Sequence, residues 1–188
     1  GISDVEDLSA FAPNVQISET PAGSTGATIA IRGSVTINPA ITWEPTTGVY
    51  VDGVFVSKNV GGLFDVAAIE RVEILRGPQG TLYGKNTIGG AINIITRKPS
   101  GELGAELRIG TGNYNFNDIY FTGDSDVIND KLSFNFTYNK KERDGFYDNL
   151  SEAAGATKFK ELDASSARFG ALYEHSEDVS FYYTYDMS

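Results

Sequence analysis

Lys85 follows Gly84 in the stretch LRGPQGTLYGKNTIGG, residues 75–90, which holds five glycines in sixteen positions. Glycine-rich chain beside a lysine can cradle phosphate, with backbone N–H groups and an ammonium aimed at one anion. A nucleoside-triphosphate loop needs a further glycine where this chain has Gln79, and Ser or Thr where it has Asn86. The phosphate reading therefore fails on spacing. GTGNYN, residues 110–115, lacks the third glycine of a dinucleotide fingerprint and lies among strand-like runs. The single histidine, His175, sits in a predicted tight turn, and no G-x-S-x-G elbow is present. Asp124, Asp126 and Asp130 lack the glycine and terminal glutamate of a calcium loop and read as a charged turn. No catalytic residue, metal site or cofactor is expected.

Composition narrows the partners. The net charge of −10 is the wrong sign for nucleic acid, where a basic face must displace counterions. The chain has no cysteine, which removes disulfide frameworks and thiolate metal sites and is compatible with a bacterial envelope protein. No apolar run is long enough for a membrane-spanning helix, and the first residues carry no signal pattern. If the protein is exported, its signal is expected to have been removed. Residues 1–99 hold five of the 21 Phe and Tyr and a net charge of −2, and residues 100–188 hold sixteen and −8. A shift that sharp predicts a boundary at Pro99 to Gly101.

The second half alternates. Apolar residues fall on odd positions in Leu103–Ile109, Ile119–Phe121, Ala167–Tyr173 and Val179–Tyr185, and on even positions in Leu132–Tyr138, with Leu172 an exception. Period two predicts five antiparallel strands, each with one apolar and one polar face. The runs are roughly ten residues long, near the 9–11 or so that cross a bilayer. Short turns such as HSED and DSDVINDK alternate with a long polar excursion over 143–163, the loop asymmetry of an outer-membrane barrel. A soluble sandwich also alternates and stays open as an alternative at this point. The first half has a different texture. TGVYVDGVFV predicts a hairpin about Asp52-Gly53, IERVEILRG and GGAINIITRK predict strands, and VEDLSAFAP, residues 5–13, predicts a short helix.

Three segments, IRG (31–33), VYVDGV (49–54) and IERVEILRGPQGTLYGKNTIGGAINIITRKP (69–99), together resemble the plug domain of TonB-dependent outer-membrane receptors. The resemblance covers nearly the whole first half in order and spacing, and the alternating strands resemble the start of the family's barrel. It implies an α+β plug domain over residues 1–99, then antiparallel strands of a transmembrane β-barrel from residue 102 to 188. The barrel has about 22 strands in the family, so about five would be the N-terminal part of something longer. It implies an outer-membrane active transporter of a Gram-negative bacterium. Such a protein binds a scarce small-molecule ligand (a siderophore–iron complex, vitamin, sugar or aromatic compound) and imports it to the periplasm. Its partners would be outer-membrane lipid and TonB, whose inner-membrane energising complex supplies the proton motive force. The segment that TonB pulls, the TonB box, is expected to lie upstream of GISDVEDLSAFAPN. A passive porin-like or structural barrel, and a soluble adhesive sandwich, are the competing readings.

The resemblance also implies roles for residues. Arg32 of IRG and Arg76 of LRGP would lock the plug to glutamates on the inner barrel wall, each guanidinium fork bridging carboxylates. The alternative is that each pairs within the plug. Ligand-facing loops would be residues 21–25, 36–44 and 58–62, which offer Thr36, Asn38, Trp43, Glu44, Lys58 and Asn59 as candidate contacts. Trp43 is either a ligand platform or packed on the plug. Lys58 and Asn59 would meet an anionic or hydroxyl-rich ligand, or remain solvated.

Overall fold

The computed structural model describes residues 12–20, 23–36, 44–56, 69–148, 158–159 and 161–187. The chain forms two compact units, residues 1–64 with 69–96, and residues 65–68 with 97–188. The helix expected over 5–13 lies almost wholly outside the described residues. Residues 12–14 form a turn, in which the Val15 amide donates to the Ala12 carbonyl at 3.2 Å.

In the first unit, strands β1 (Val15–Thr20), β2 (Gly23–Ile31) and β3 (Ser34–Val35) make a three-stranded antiparallel sheet. A mixed four-stranded sheet follows, from β4 (Thr47–Val51), β5 (Val54–Val56), β6 (Ile69–Arg76) and β7 (Gly90–Thr96), in the order β5-β4-β7-β6. The expected hairpin is present. Asp52 and Gly53 both have positive φ, 50° and 81°, the pair of left-handed residues whose twist suits a two-residue turn. β7 runs parallel to β4 and antiparallel to β6. Such a central strand is covered on both faces, which explains the nearly continuous apolar run GAINIIT. Val15, Ile17, Ile29, Ile31, Val49, Ile92 and Ile94 form one buried cluster.

The glycine-rich stretch lies between β6 and β7 and is closed on itself. Gly77 N–H donates to the Gly89 carbonyl at 3.0 Å, Gln79 N–H to Thr87 at 3.0 Å, and Gly89 N–H to Thr46 at 2.8 Å. A single helical turn, α1 (Gly80–Tyr83), is capped by Gly84 N–H on the Gly80 carbonyl. Tyr50 Oη donates to the Tyr83 carbonyl at 2.6 Å, and burial raises the Tyr50 pKa, helped by the neighbouring Tyr83. The amides of Gly77, Gln79, Leu82, Tyr83, Gly84 and Gly89 are thus already paired with carbonyls. The glycines serve close packing instead: a Cβ on Gly90 would stand 2.4 Å from the Leu75 carbonyl oxygen.

The second unit is a five-stranded antiparallel sheet made of β8 (Gly104–Gly112), β9 (Phe116–Asp124), β10 (Leu132–Arg143), β13 (Leu162–Ser176) and β14 (Val179–Met187). Neighbours in sequence are neighbours in space. A two-stranded ribbon, β11 (Tyr147–Asp148) with β12 (Lys158–Phe159), stands inside the long excursion. The register places Leu107, Phe121, Tyr138 and Ala167 in one row, and Phe136, Phe169 and Tyr185 in another. Odd positions of four strands therefore share a face with the even positions of β10, as the alternation predicts.

That face is the exposed one. Leu107 is 60% exposed and Phe181 63%, whereas Thr137 is 1% exposed, and Thr122, Ser133, Asn135 and Arg168 are also buried. A water-soluble sandwich turns its apolar face inward, and this sheet does the opposite. His175 differs from expectation. It belongs to the end of β13, at an irregularity in the pairing between Glu174 and Ser176, and the turn is made by residues 177–178.

Candidate functional site

Arg32 occupies the turn between β2 and β3, where it has φ 52° and is followed by Gly33 at φ 80°. Its amide donates to the Asn14 carbonyl at 2.9 Å, which fixes the turn against the end of β1. Arg76 is the last residue of β6 and precedes Gly77, whose φ is 89°. One Arg32 guanidinium nitrogen lies 3.9 Å from the point where a Cβ on Gly77 would stand. Two segments distant in sequence thus bring the Arg32 turn beside the end of β6. Both arginines are exposed. Among the described residues neither makes an ion pair. Each guanidinium is thus free to take a carboxylate from outside this part of the chain.

Of the expected ligand-facing residues, Asn38, Trp43, Lys58 and Asn59 lie outside the described residues. Thr36 and Glu44 are described. The Thr36 hydroxyl accepts from Thr46 N–H at 2.9 Å and donates to the Thr46 hydroxyl at 3.4 Å, so it pins the two ends of the 37–45 segment together. Glu44 Oε1 sits 2.7 Å from Lys85 Nζ. Both side chains are largely exposed, and such a surface pair is worth at most about 1 kcal/mol. It is easily opened, and the lysine of the glycine-rich stretch is thereby drawn to the Glu44 side.

Asp52 was legible only as a turn residue, yet it carries a second task. Its Oδ1 accepts from Thr96 N–H at 2.8 Å and its Oδ2 from the Thr96 hydroxyl at 2.6 Å, and its own amide donates to the Ile94 carbonyl at 2.9 Å. One carboxylate thus ties the hairpin turn to the end of β7. Hydrogen bonds to a charged group contribute about 1.5–3 kcal/mol, and about 1.4 kcal/mol is a tenfold change in equilibrium. Asp52→Ala is expected to speed hydrogen exchange of the Thr96 amide at least tenfold, with Asp52→Asn intermediate. Equal protection in Asp52→Ala would show that strand pairing alone holds this end.

Comparison with known proteins matches this geometry to a family. The family described as TonB-dependent Receptor Plug Domain matches residues 1–91. The pesticin receptor of Yersinia pestis is 39% identical over 105 residues, covering 53% of this chain and 14% of that protein. The vitamin B12 transporter BtuB of Vibrio vulnificus strain YJ016 is 27% identical over an alignment of 192 positions, covering 93% of this chain and 30% of that protein. The crystal structure of the ferric yersiniabactin uptake receptor FyuA from Yersinia pestis superposes with a TM-score of 0.79 at 26% identity, over 92% of this chain and 26% of that one. The chain thus spans less than a third of the length of these relatives, which are receptors and a transporter. Residues 1–91 thus match the plug domain of TonB-dependent receptors, and with the antiparallel strands that follow, the chain is similar to a receptor of this kind over 92% of its length.

Proposed function

We propose that the protein is an outer-membrane active importer of a Gram-negative bacterium. It binds a scarce nutrient of the siderophore or vitamin type at the outer face and moves it to the periplasm with energy transmitted by TonB from the inner membrane. Residues 1–99 are its plug domain and residues 102–188 the first part of its barrel. The carrying observation is a plug-family match continued in sequence by a sheet whose apolar face is exposed and whose polar face is buried along β9, β10 and β13. A porin has no such N-terminal domain. The relatives supply the ligand class, since one is named for ferric yersiniabactin and another for vitamin B12. No chemical step is required of any side chain. Binding and carriage suffice.

In this reading Arg32 and Arg76 hold the plug to carboxylates of the barrel wall. The ligand meets Asn38, Trp43, Lys58 and Asn59, together with Thr36 and Glu44. The decisive experiment follows radiolabelled ferric siderophores and cobalamin, bound to cells and accumulated inside them, with the proton gradient intact and dissipated.

The apolar face takes outer-membrane lipid as its partner. Register decides this, because a slip of one residue would invert every side chain. Spin labels at Phe134 and Phe169 are expected to be relaxed by lipid-soluble oxygen, and labels at Asn135 and Arg168 to be shielded from it. The reverse pattern would place lipid on the polar face and overturn the assignment.

A further inference from the structure

The segment from Arg97 to Ser100, which leads into β8, has no regular secondary structure. A linker of that kind is ordinarily the compliant part of a chain. Here it is fastened to the polar face of the sheet. Arg97 Nη2 donates to Asp124 Oδ2 and, at 3.1 Å, to the Thr122 hydroxyl. Ser100 N–H donates to the other oxygen of the same carboxylate at 3.0 Å. Asn135 Nδ2 donates to the Arg97 carbonyl at 3.0 Å. Lys98 Nζ stands 5.5 Å from the centre of the Tyr182 ring, and Pro99 is buried. Four consecutive residues thus engage β9, β10 and β14, or are themselves covered.

The fastening points are aligned. Asp124, Asn135 and Gly170 face one another across β9, β10 and β13 as one rung of the sheet. Gly170 leaves the space that Asn135 uses. A Cβ there would stand 2.3 Å from Asn135 Oδ1, a contact that only movement of the Asn135 amide could relieve. The Asp124 side chain is 6% exposed. A carboxylate so shielded is tolerable while Arg97 and Ser100 donate to it, and lifting the segment away would leave it unpaired. The cost of release therefore falls on the sheet as well as on the linker.

We propose that Arg97–Ser100 is a fixed anchor, held by Asp124, Asn135 and the space at Gly170, at which mechanical unfolding of the preceding residues stops. The proposal rests on the proposed function, with the added premise that energy from TonB reaches the protein as a pull on the chain ahead of residue 97. It assigns positioning roles to these residues: they keep β8 and its neighbours in register while the chain before them is deformed.

The test pulls the intact receptor by its N-terminus in outer-membrane fragments, by single-molecule force spectroscopy. It needs neither TonB nor ligand nor a proton gradient, so its outcome is separate from that of the uptake experiment. Unfolding is expected to halt once the chain up to residue 96 has been released, with a distinct, higher-force event afterwards. In Asp124→Ala the halt should move to about residue 103, which lengthens the first release by roughly 2 nm. Asp124→Asn, which keeps an accepting oxygen, should restore the original halt at a lower force. Gly170→Ala, which displaces Asn135 without removing any hydrogen-bonding group, should also weaken the event, and it carries the test if Asp124→Ala fails to assemble. Without force, hydrogen exchange over 97–103 should rise at least tenfold in Asp124→Ala and remain unchanged in β7, whereas general destabilisation would raise both. Release of wild-type chain through residue 103 in one event, or equal exchange over 97–103 in wild type and variants, would overturn the anchor.

Discussion

Ligand accumulation inside cells is expected to fall more than tenfold when an uncoupler dissipates the proton gradient, while ligand bound at the surface stays within about twofold. The reason is kinetic. A nanomolar complex is stabilised by about 12 kcal/mol. At an ordinary association rate of about 10⁶ M⁻¹s⁻¹, it dissociates once in roughly a thousand seconds. A site good enough to capture a scarce nutrient therefore releases it too slowly to feed a cell unless something weakens the site. In the proposed reading that agent is the pull of TonB on a segment upstream of the plug. Deleting that segment should reproduce the uncoupler's effect, with binding kept and accumulation lost. Trp43→Ala, or replacement of Lys58 and Asn59, should do the converse by weakening binding about tenfold, as loss of an interfacial anchor does, while uptake of whatever binds still depends on the gradient. Accumulation at full rate under the uncoupler would make the protein a passive channel.

The elements readable from sequence are those whose pattern is local. The five long strands follow from period-two alternation, and their shared faces follow once each strand's parity is known, because pairing between sequence neighbours leaves little choice of register. The Asp52-Gly53 hairpin follows from two residues that accept positive φ. What was not legible depends on distant partners. The strands β1 to β3 are hidden because Val15 and Ile17 are separated from Ile29 and Ile31 by a stretch rich in glycine, serine and threonine. The parallel pairing of β4 with β7 joins Val49 to Ile92 across the whole of β6 and the glycine-rich loop. The helical turn Gly80–Tyr83 has no apolar period of its own and no side-chain cap.

The same distinction holds for the sites. Arg32 and Arg76 stand out by resemblance alone, and nothing in their immediate neighbours says that Arg32 stands beside the Arg76–Gly77 turn. Asp52 reads as a turn former and Asp124 as one more rim acid. Their tasks appear only when Thr96, Arg97 and Ser100 are seen beside them. Glu44, a candidate ligand contact, also pairs with Lys85, a contact between residues 41 apart in sequence. Charged side chains are ambiguous in sequence because a carboxylate serves a turn, a salt bridge or a ligand with the same two oxygens.

Replacing Arg32 and Arg76 together by alanine is expected to free the plug from the barrel, with a larger effect than any surface substitution in this chain. Each guanidinium presents a planar fork that can bridge two carboxylates at once. Among the described residues both arginines are exposed and make no ion pair, and one Arg32 guanidinium nitrogen lies beside Gly77, the residue after Arg76. Inside a closed barrel the surrounding wall would shield them, and removing one partner of a shielded pair costs about 3–5 kcal/mol because the other charge is stranded. The barrel carboxylates would then repel one another as well as lose their counter-ions. Hydrogen exchange in β6 and β7 of the membrane-embedded receptor should rise by two orders of magnitude or more in the double variant, and cells should admit antibiotics that the wild-type barrel excludes. Lysine at both positions should restore only part of the protection, because an ammonium keeps the charge without the two-pronged geometry. The single variants should fall short of the double by more than additivity predicts if both arginines grip the same acidic cluster. Unchanged exchange in the double variant would make them ordinary plug residues.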